Sequence, residues 1–455
     1  MAGNHRQPEV LNGNQKVQRK NMKLTIHRGA AEVGGNCIEV ESKGTRIVLD
    51  IGMPLFGKDR LPLDSMKLKR LSKEELHDLG YLPRVKGMFD GTERPDAILL
   101  SHAHLDHTGL VEHSAKEIPI YASKGTSKMM LAGKLFAGQV ELKQNRFTPL
   151  TPKQPIQIGN FKISVFPVDH SIYGCLATLI EAEGKSILYP GDIRLHGRKP
   201  GMMWDLVNEV RDKSIDVLLM EGTHFGFPDG ERQSEYELET KITKLIADAP
   251  GFALASFSPQ HVDRLVAFIR AAIKTNRTFV VDVYTAFEMH LIKNEVKLPQ
   301  LSADGPIRVF YPSWFLKSCE RKKLKSTAER FQKSRIEISE MVENPSKYLM
   351  AFRPSMLQSD FNGQLPPETL CIYSRWDGYL KNEDWKEVQT AIDKASGRLE
   401  VAHTSGHILS SDIVRYVKAI EPKTVIPVHT FEPQIFSKHF ENAQQLSDGV
   451  EFEIE

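Results

Sequence analysis

Short apolar runs bounded by Gly, Asp or Pro dominate the first half of the chain, at residues 23–26, 37–40, 46–49, 97–100 and 118–122. A second series follows at 161–165, 176–180 and 186–189. Runs of this length, punctuated by turn residues, predict strands. No helical period separates them, which predicts a mixed or antiparallel sheet. After about Met220 the pattern becomes strand, then helix. The run 252–255 precedes a helical stretch over 259–274, 278–283 precedes one around 286–294, and 307–310 precedes a long polar helix from Phe315 onward. Further strands are predicted at 348–352 and 370–373. Residues 399–401, a helix near 411–420 and a strand at 424–427 follow. That alternation predicts a parallel α/β unit.

The 455 residues suggest two or three domains. With 40% apolar and 26% charged residues, the composition is that of a soluble globular protein. A net charge of +2 excludes a uniformly basic nucleic-acid coat and an acidic solvating chain, while leaving room for local patches. No run of 18 apolar residues occurs, so no membrane span is expected. Cys37, Cys175, Cys319 and Cys371 lie far apart without a C-x-x-C pair, which supports neither a cysteine zinc site nor a disulfide framework. The first 22 residues are polar and have no hydrophobic stretch of the signal-peptide kind, so the expected location is cytoplasmic. Residues 1–21 read as a disordered basic tail, with an RNA-binding arm as the sharper alternative. Residues 317–335 carry eight Lys/Arg against Glu320 and Glu329. They read either as a solvated helix face or as a phosphate-contacting surface.

The densest chemistry lies in Ser101-His102-Ala103-His104-Leu105-Asp106-His107, directly after the apolar run 97–100. A loop at the end of a buried strand can turn His102 and His104 toward one point and Asp106 and His107 toward another. Imidazole and carboxylate are ligands that zinc accepts. Other candidate ligands also stand at the ends of predicted strands: Asp50 after 46–49, His170 after 161–168, Asp192 after 186–189 and His429 after 424–428.

This set, His102-x-His104-x-Asp106-His107 with Asp50, His170, Asp192 and His429, resembles the metallo-β-lactamase superfamily. The resemblance implies an α/β (α+β) fold, an αββα sandwich with a dinuclear metal site. Between Asp192 and His429 lie 236 residues, and the α/β-textured block falls within them. That is similar to the β-CASP group, nucleases in which an inserted parallel α/β domain covers the metal cleft. Glu221 in Met220-Glu221-Gly222-Thr223, the loop His403-Thr404-Ser405-Gly406-His407 and the segment Pro427-Val428-His429 match that group's motifs. The implied organisation is a first part of the metallo-β-lactamase domain at 22–225, a β-CASP insertion at 226–398 and completion of the first domain at 399–455. Within the group the chain looks like ribonuclease J: Gly29-x-x-Glu32-Val33-Gly34-x-Asn36 is similar to its opening turn and Ala255-Ser256-Phe257-Ser258 to its phosphate-facing loop. Two features differ. Ribonuclease J has a further C-terminal domain, whereas this chain ends at Glu455, and its Pro-Gly-Asn segment is replaced by Ser374-Arg375-Trp376-Asp377-Gly378-Tyr379.

The resemblance implies a two-metal ribonuclease, acting endonucleolytically, exonucleolytically from the 5′ end, or both. One ion would take His102, His104 and His170, the other Asp106, His107 and His429, with Asp192 shared. Two zinc ions per chain are expected, with manganese as the alternative. Water held between the ions would lose its proton and attack phosphorus. Asp50 is expected behind the site, orienting His102 or the nucleophile. His407, polarised by Glu221, is the expected general acid. His403, Ser405, Ser258 and Ser256 are expected to hold a phosphate. Trp376 and Tyr379, with Arg375, could stack on bases, the alternative being that both aromatics pack in the core. The expected partner is single-stranded RNA, with no membrane, and a homodimer is left open. A histidine at position 429 favours RNA over DNA. A DNA nuclease, a small-molecule ester or thioester hydrolase and an inactive scaffold are the competing readings.

Overall fold

The computed structural model describes residues 22–228, 233–322 and 325–455. The expected tail at 1–21 and the basic side chains at 321–325 lie outside that description. Among the described residues the strands form sheets of seven, six and seven.

The first sheet runs in the order Glu451–Glu453, Lys23–Arg28, Cys37–Ser42, Thr45–Leu49, Ala97–Leu99, Ile120–Ser123, Phe147–Leu150. It is antiparallel as far as Thr45–Leu49 and parallel beyond. The second runs Thr424–Val428, Val217–Glu221, Lys185–Tyr189, Leu176–Ala182, Phe161–Pro167, Ile156–Ile158. Its inner face packs against the first sheet, where Leu24, Ile38, Val40, Ile47 and Leu99 meet Phe161, Ile163, Ile180, Leu219 and Ile426 in one buried cluster. The outer faces are covered by helices: Met129 and Met130 lie with Ile98 and Ile120, and Leu206, Val207 and Tyr416 lie with Leu188 and Leu218. This is the αββα sandwich that the sequence implies. Burial of the two inner faces drives it, since each apolar side chain removed from water contributes roughly 1.5–3 kcal/mol.

The third sheet is wholly parallel, in the order Arg335–Ile336, Ile307–Phe310, Thr278–Asp282, Tyr348–Ala351, Ala253–Ser256, Leu370–Tyr373, Arg398–Val401. It is covered on both sides by helices. On one side Leu265 and Phe268 pack with Phe279, and on the other Trp385 and Val388 pack with Cys371 and Tyr373.

Two details depart from expectation. Helices Lys124–Ala137 and Gly201–Val210 interrupt the strands of the first half. Glycines at 125 and 133 dilute the apolar period of the former, although Ser123 as N-cap and left-handed Gly138 as C-cap bracket it. Helical residues follow Phe315 as expected, described over Ser313–Lys322 and Lys325–Glu329. The strand Arg398–Val401 pairs with Leu370–Tyr373, so the inserted sheet reaches Val401 rather than stopping at 398. This strand sits on an edge and is partly exposed, which weakens its apolar signature.

Trp385, 2% exposed, packs edge-on against Tyr373 with ring centroids 4.8 Å apart. Trp385→Ala is expected to cost about 3–5 kcal/mol, read as a lower denaturant midpoint of the unfolding transition that reports on the third sheet.

Candidate metal centre

Every side chain of the centre leaves a strand end or the loop that follows it. Asp50 follows Thr45–Leu49 with φ 58°, and its N–H donates to Leu99 O at 2.9 Å. His429 follows Thr424–Val428 with φ 52°, and its N–H donates to Gly29 O at 2.8 Å. Both occupy the left-handed region, which costs little for Asp and is uncommon for most side chains. The strand Ala97–Leu99 delivers residues 101–104, and the short helix Leu105–Thr108 presents Asp106 and His107. His170 and Asp192 follow Phe161–Pro167 and Lys185–Tyr189, and Glu221 closes Val217–Glu221.

These residues converge into two groups sharing Asp192. In the first, His104 Nδ1 lies 3.1 Å from both His102 Nε2 and His170 Nε2, which stand 3.7 and 3.9 Å from Asp192 Oδ2. In the second, His107 Nε2 lies 3.1 Å from Asp192 Oδ2, and His429 Nε2 lies 3.2 Å from Asp106 Oδ2 and 3.7 Å from Asp192 Oδ2. His407 Nδ1 stands 3.1 Å from Glu221 Oε2 and 3.7 Å from Asp192 Oδ2.

The surrounding hydrogen bonds set which ring nitrogens are left bare. Asp50 accepts only, so His107 Nδ1–H donates to its Oδ2 at 2.8 Å. His170 Nδ1–H donates to Gly406 O at 2.6 Å. Ser101 donates its hydroxyl to Asp50 Oδ2 at 2.7 Å and so accepts from His102 Nδ1 at 3.0 Å. Thr223 donates to Glu221 Oε2 at 2.8 Å and accepts from His429 Nδ1 at 2.9 Å. With Nδ1 engaged behind the site, the inward Nε2 of His102, His170 and His429 keeps its lone pair, as a metal ligand must, and that of His107 points at Asp192. Burial pushes His102 and His170 well below the usual imidazole range and brings His104 to about 4, so these rings are neutral. Burial disfavours charge on His107 as well, but Asp192, Asp50 and Asp106 outweigh it and draw a proton there. Asp192 Oδ1 is buried with no hydrogen-bond partner. An excess of buried carboxylate charge, inward lone pairs and an orphaned carboxylate oxygen together fit a cation. The nitrogen and oxygen donors suit a borderline to hard divalent ion such as zinc or manganese.

The structure corrects one expectation. Asp50 is fully buried and bonds His107, Ser101 N–H and hydroxyl, and the Tyr189 hydroxyl. It therefore orients His107, reaches His102 only through Ser101, and does not face a nucleophile. Ser256 is 1% exposed within the strand Ala253–Ser256. Ser258 lies in the loop just beyond and is half-buried. His403 stands 3.5 Å from Arg264 Nη1; burial first, then the Arg264 charge, brings it to about 3. Ser405 accepts His407 N–H at 3.0 Å and bonds His224 Nε2 at 2.6 Å, so its hydroxyl shapes the loop. Burial opposes a charge on His407, but Glu221 and Asp192 raise it to about 9. Trp376 and Tyr379 are 46% and 44% exposed, edge-on at 5.2 Å, with Arg375 5.4 Å from the Tyr379 ring, so neither is core. Ser101, Tyr189 and Thr223 were missed from the sequence. Their only signal was adjacency to ligand motifs.

A family model described as the beta-lactamase superfamily domain matches residues 80–229. The two-group centre is in keeping with that match, which implies a divalent metal. Ribonuclease J of Helicobacter pylori (strain ATCC 700392 / 26695) is 24% identical over 448 residues, covering 94% of this chain and 59% of that protein. Ribonuclease J of Mycolicibacterium smegmatis is 28% identical over 271 residues, covering 56% of this chain and 43% of that one. The chain is thus similar to ribonuclease J over most of its length. It spans about half the length of the curated relatives it matches. A crystal structure of a protein of unknown function from Enterococcus faecalis V583 has the same fold, with a TM-score of 0.73 and 24% identity over 95% of this chain and 100% of that one.

Asp50→Asn removes the acceptor that fixes the His107 ring. Metal affinity is expected to fall about 10–100-fold, measured by chelator competition. At Gly52 an added Cβ would lie 1.7 Å from Asp106 O. Gly52→Ala is therefore expected to displace Asp106 and lower metal occupancy per chain, read by elemental analysis.

Proposed function

We propose that this chain is a metal-dependent ribonuclease acting on single-stranded RNA. The observation that carries the reading is the pair of ligand groups meeting at Asp192 Oδ2, with the His407–Glu221 pair 3.7 Å away. The similarity to ribonuclease J supports RNA as the substrate class. A cytoplasmic location fits four free, buried cysteines.

His102, His104 and His170 would hold one divalent ion and Asp106, His107 and His429 the other, with Asp192 common to both. Bound cations supply Lewis acidity and neutralise charge on the phosphodiester oxygens. The chain's own groups do the rest. Asp50 and Thr223 keep His107 and His429 aimed inward. Cleavage adds water across the P–O3′ bond, leaving a 3′ hydroxyl and a 5′ phosphate. The departing 3′ oxygen takes its proton from His407, which Glu221 holds charged and oriented. Ser258 and the 403–407 loop line the approach of the phosphate backbone. The exposed Trp376 and Tyr379 offer ring faces to unpaired bases irrespective of sequence.

His407→Ala is expected to retain its metal while losing about 10²–10⁴-fold in RNA cleavage. The measurement is digestion of end-labelled RNA alongside metal content. Cleavage at the wild-type rate would remove His407 from the mechanism. A DNA oligonucleotide of the same sequence is expected to be cut far more slowly; equal rates would overturn RNA as the substrate class.

A further inference from the structure

The sandwich and the inserted sheet are joined by a buried ionic network that the mechanism above does not use. Its centre is Glu235, the first residue of helix Glu235–Ala247, and it is fully buried. Glu235 Oε1 accepts from Arg194 Nη1 at 3.0 Å and Arg264 Nη2 at 3.1 Å, and Oε2 accepts from Arg264 Nε at 3.3 Å. Both arginines are fully buried.

The arginines face different parts of the centre. Arg194, two residues after Asp192, donates Nε to Asp169 Oδ1 at 3.0 Å and its backbone N–H to Asp169 O at 2.8 Å, and Asp169 immediately precedes His170. Its third arm donates to Asp263 Oδ2 at 2.6 Å. Arg264, on helix Val262–Lys274, donates to Ser374 O at 3.1 Å and to Ala402 O and Thr404 O at 3.4 Å. It also donates to the Ser374 hydroxyl, which in turn donates to Ala402 O. One carboxylate thus stands between the arginine that braces His170 and Asp192 and the arginine that grips the root of the His407 loop.

The two sides depend on Glu235 unequally. Arg194 keeps Asp169 and Asp263 if Glu235 loses its charge. The remaining described acceptors of Arg264 are carbonyls, a hydroxyl and the His403 ring, so it would keep no carboxylate. A buried guanidinium stripped of its counter-charge shifts or recruits water, and the 402–407 loop would move with it.

We propose that Glu235 is a positioning residue that holds the His407 loop in register with the metal ligands by pairing with Arg194 on one side and Arg264 on the other. This inference rests on the general-acid reading of His407. A proton donor matters for a poor leaving group and little for a good one, and that difference separates positioning from general stability.

The test compares wild type, Glu235→Gln and His407→Ala on single-stranded RNA and on thymidine 5′-(p-nitrophenyl) phosphate, whose nitrophenolate leaves without a proton. Metal content is measured on each. Glu235→Gln is expected to retain wild-type metal content, to lose at least about tenfold in kcat on RNA with little change in KM, and to lose less than about threefold on the nitrophenyl ester. His407→Ala should show the same selectivity more strongly. If His407→Ala slows both substrates equally, the general-acid reading fails. If His407→Ala is selective but Glu235→Gln slows both substrates equally or neither, the positioning inference fails. Arg264→Lys keeps the charge paired with Glu235 but spans fewer of the carbonyls, and should show the same selectivity. It decides the matter if Glu235→Gln does not fold: equal loss on both substrates, or no loss, would overturn the inference.

Discussion

Negative charge concentrated out of water governs this structure. Asp50, Asp106, Asp192 and Glu221 are all buried where the sandwich strands end. Carboxylates in such a place are tolerable only against compensating positive charge or several donors. Asp50 reaches that condition with hydrogen bonds, from Ser101, Tyr189 and His107. Glu221 reaches it with Ile193 N–H, Thr223 and His407. Asp192 does so on one oxygen only, through His107, and its other oxygen is left without a partner. That imbalance makes a divalent cation the natural completion of the centre, and the histidine lone pairs turned toward the same point follow from the bonds behind them.

The same interior shows a second solution. Arg194 and Arg264 are fully buried and surrounded by Asp169, Asp263 and Glu235. There the charges are paired within the chain itself. Burial alone would raise Glu235, but Arg264, His261 and Arg194 hold it well below the ordinary carboxylate range. One half of the cleft is therefore closed by protein ions and the other is built for an ion from outside.

Much of this was legible in the sequence because the ligand types are rare and clustered. His102, His104, Asp106 and His107 announce themselves within six residues, and the strand ends bearing Asp50, His170, Asp192 and His429 follow from short apolar runs. The division between a strand-rich first half and an α/β block was readable from the change in period. The hydroxyls of Ser101, Thr223 and Tyr189 were not, because a side chain that acts by fixing another ring's tautomer carries no pattern of its own. The direction of Asp50 was also hidden. Its turn to His107 depends on a left-handed backbone that the sequence does not display. Helix Lys124–Ala137 was missed because its caps are clear but its interior is broken by glycine.

The strands Val217–Glu221 and Thr424–Val428 lie side by side in parallel, with Glu221 opposite Val428. The chain therefore leaves the sandwich and re-enters it on neighbouring strands, roughly 4.8 Å apart, although some two hundred residues intervene. A long excursion with adjacent anchor points demands little of what it contains. The inserted unit can change length or content without moving the host strands, provided its ends stay together and Glu235 still meets both arginines. Architectural freedom and chemical constraint thus fall on different parts of the same insertion.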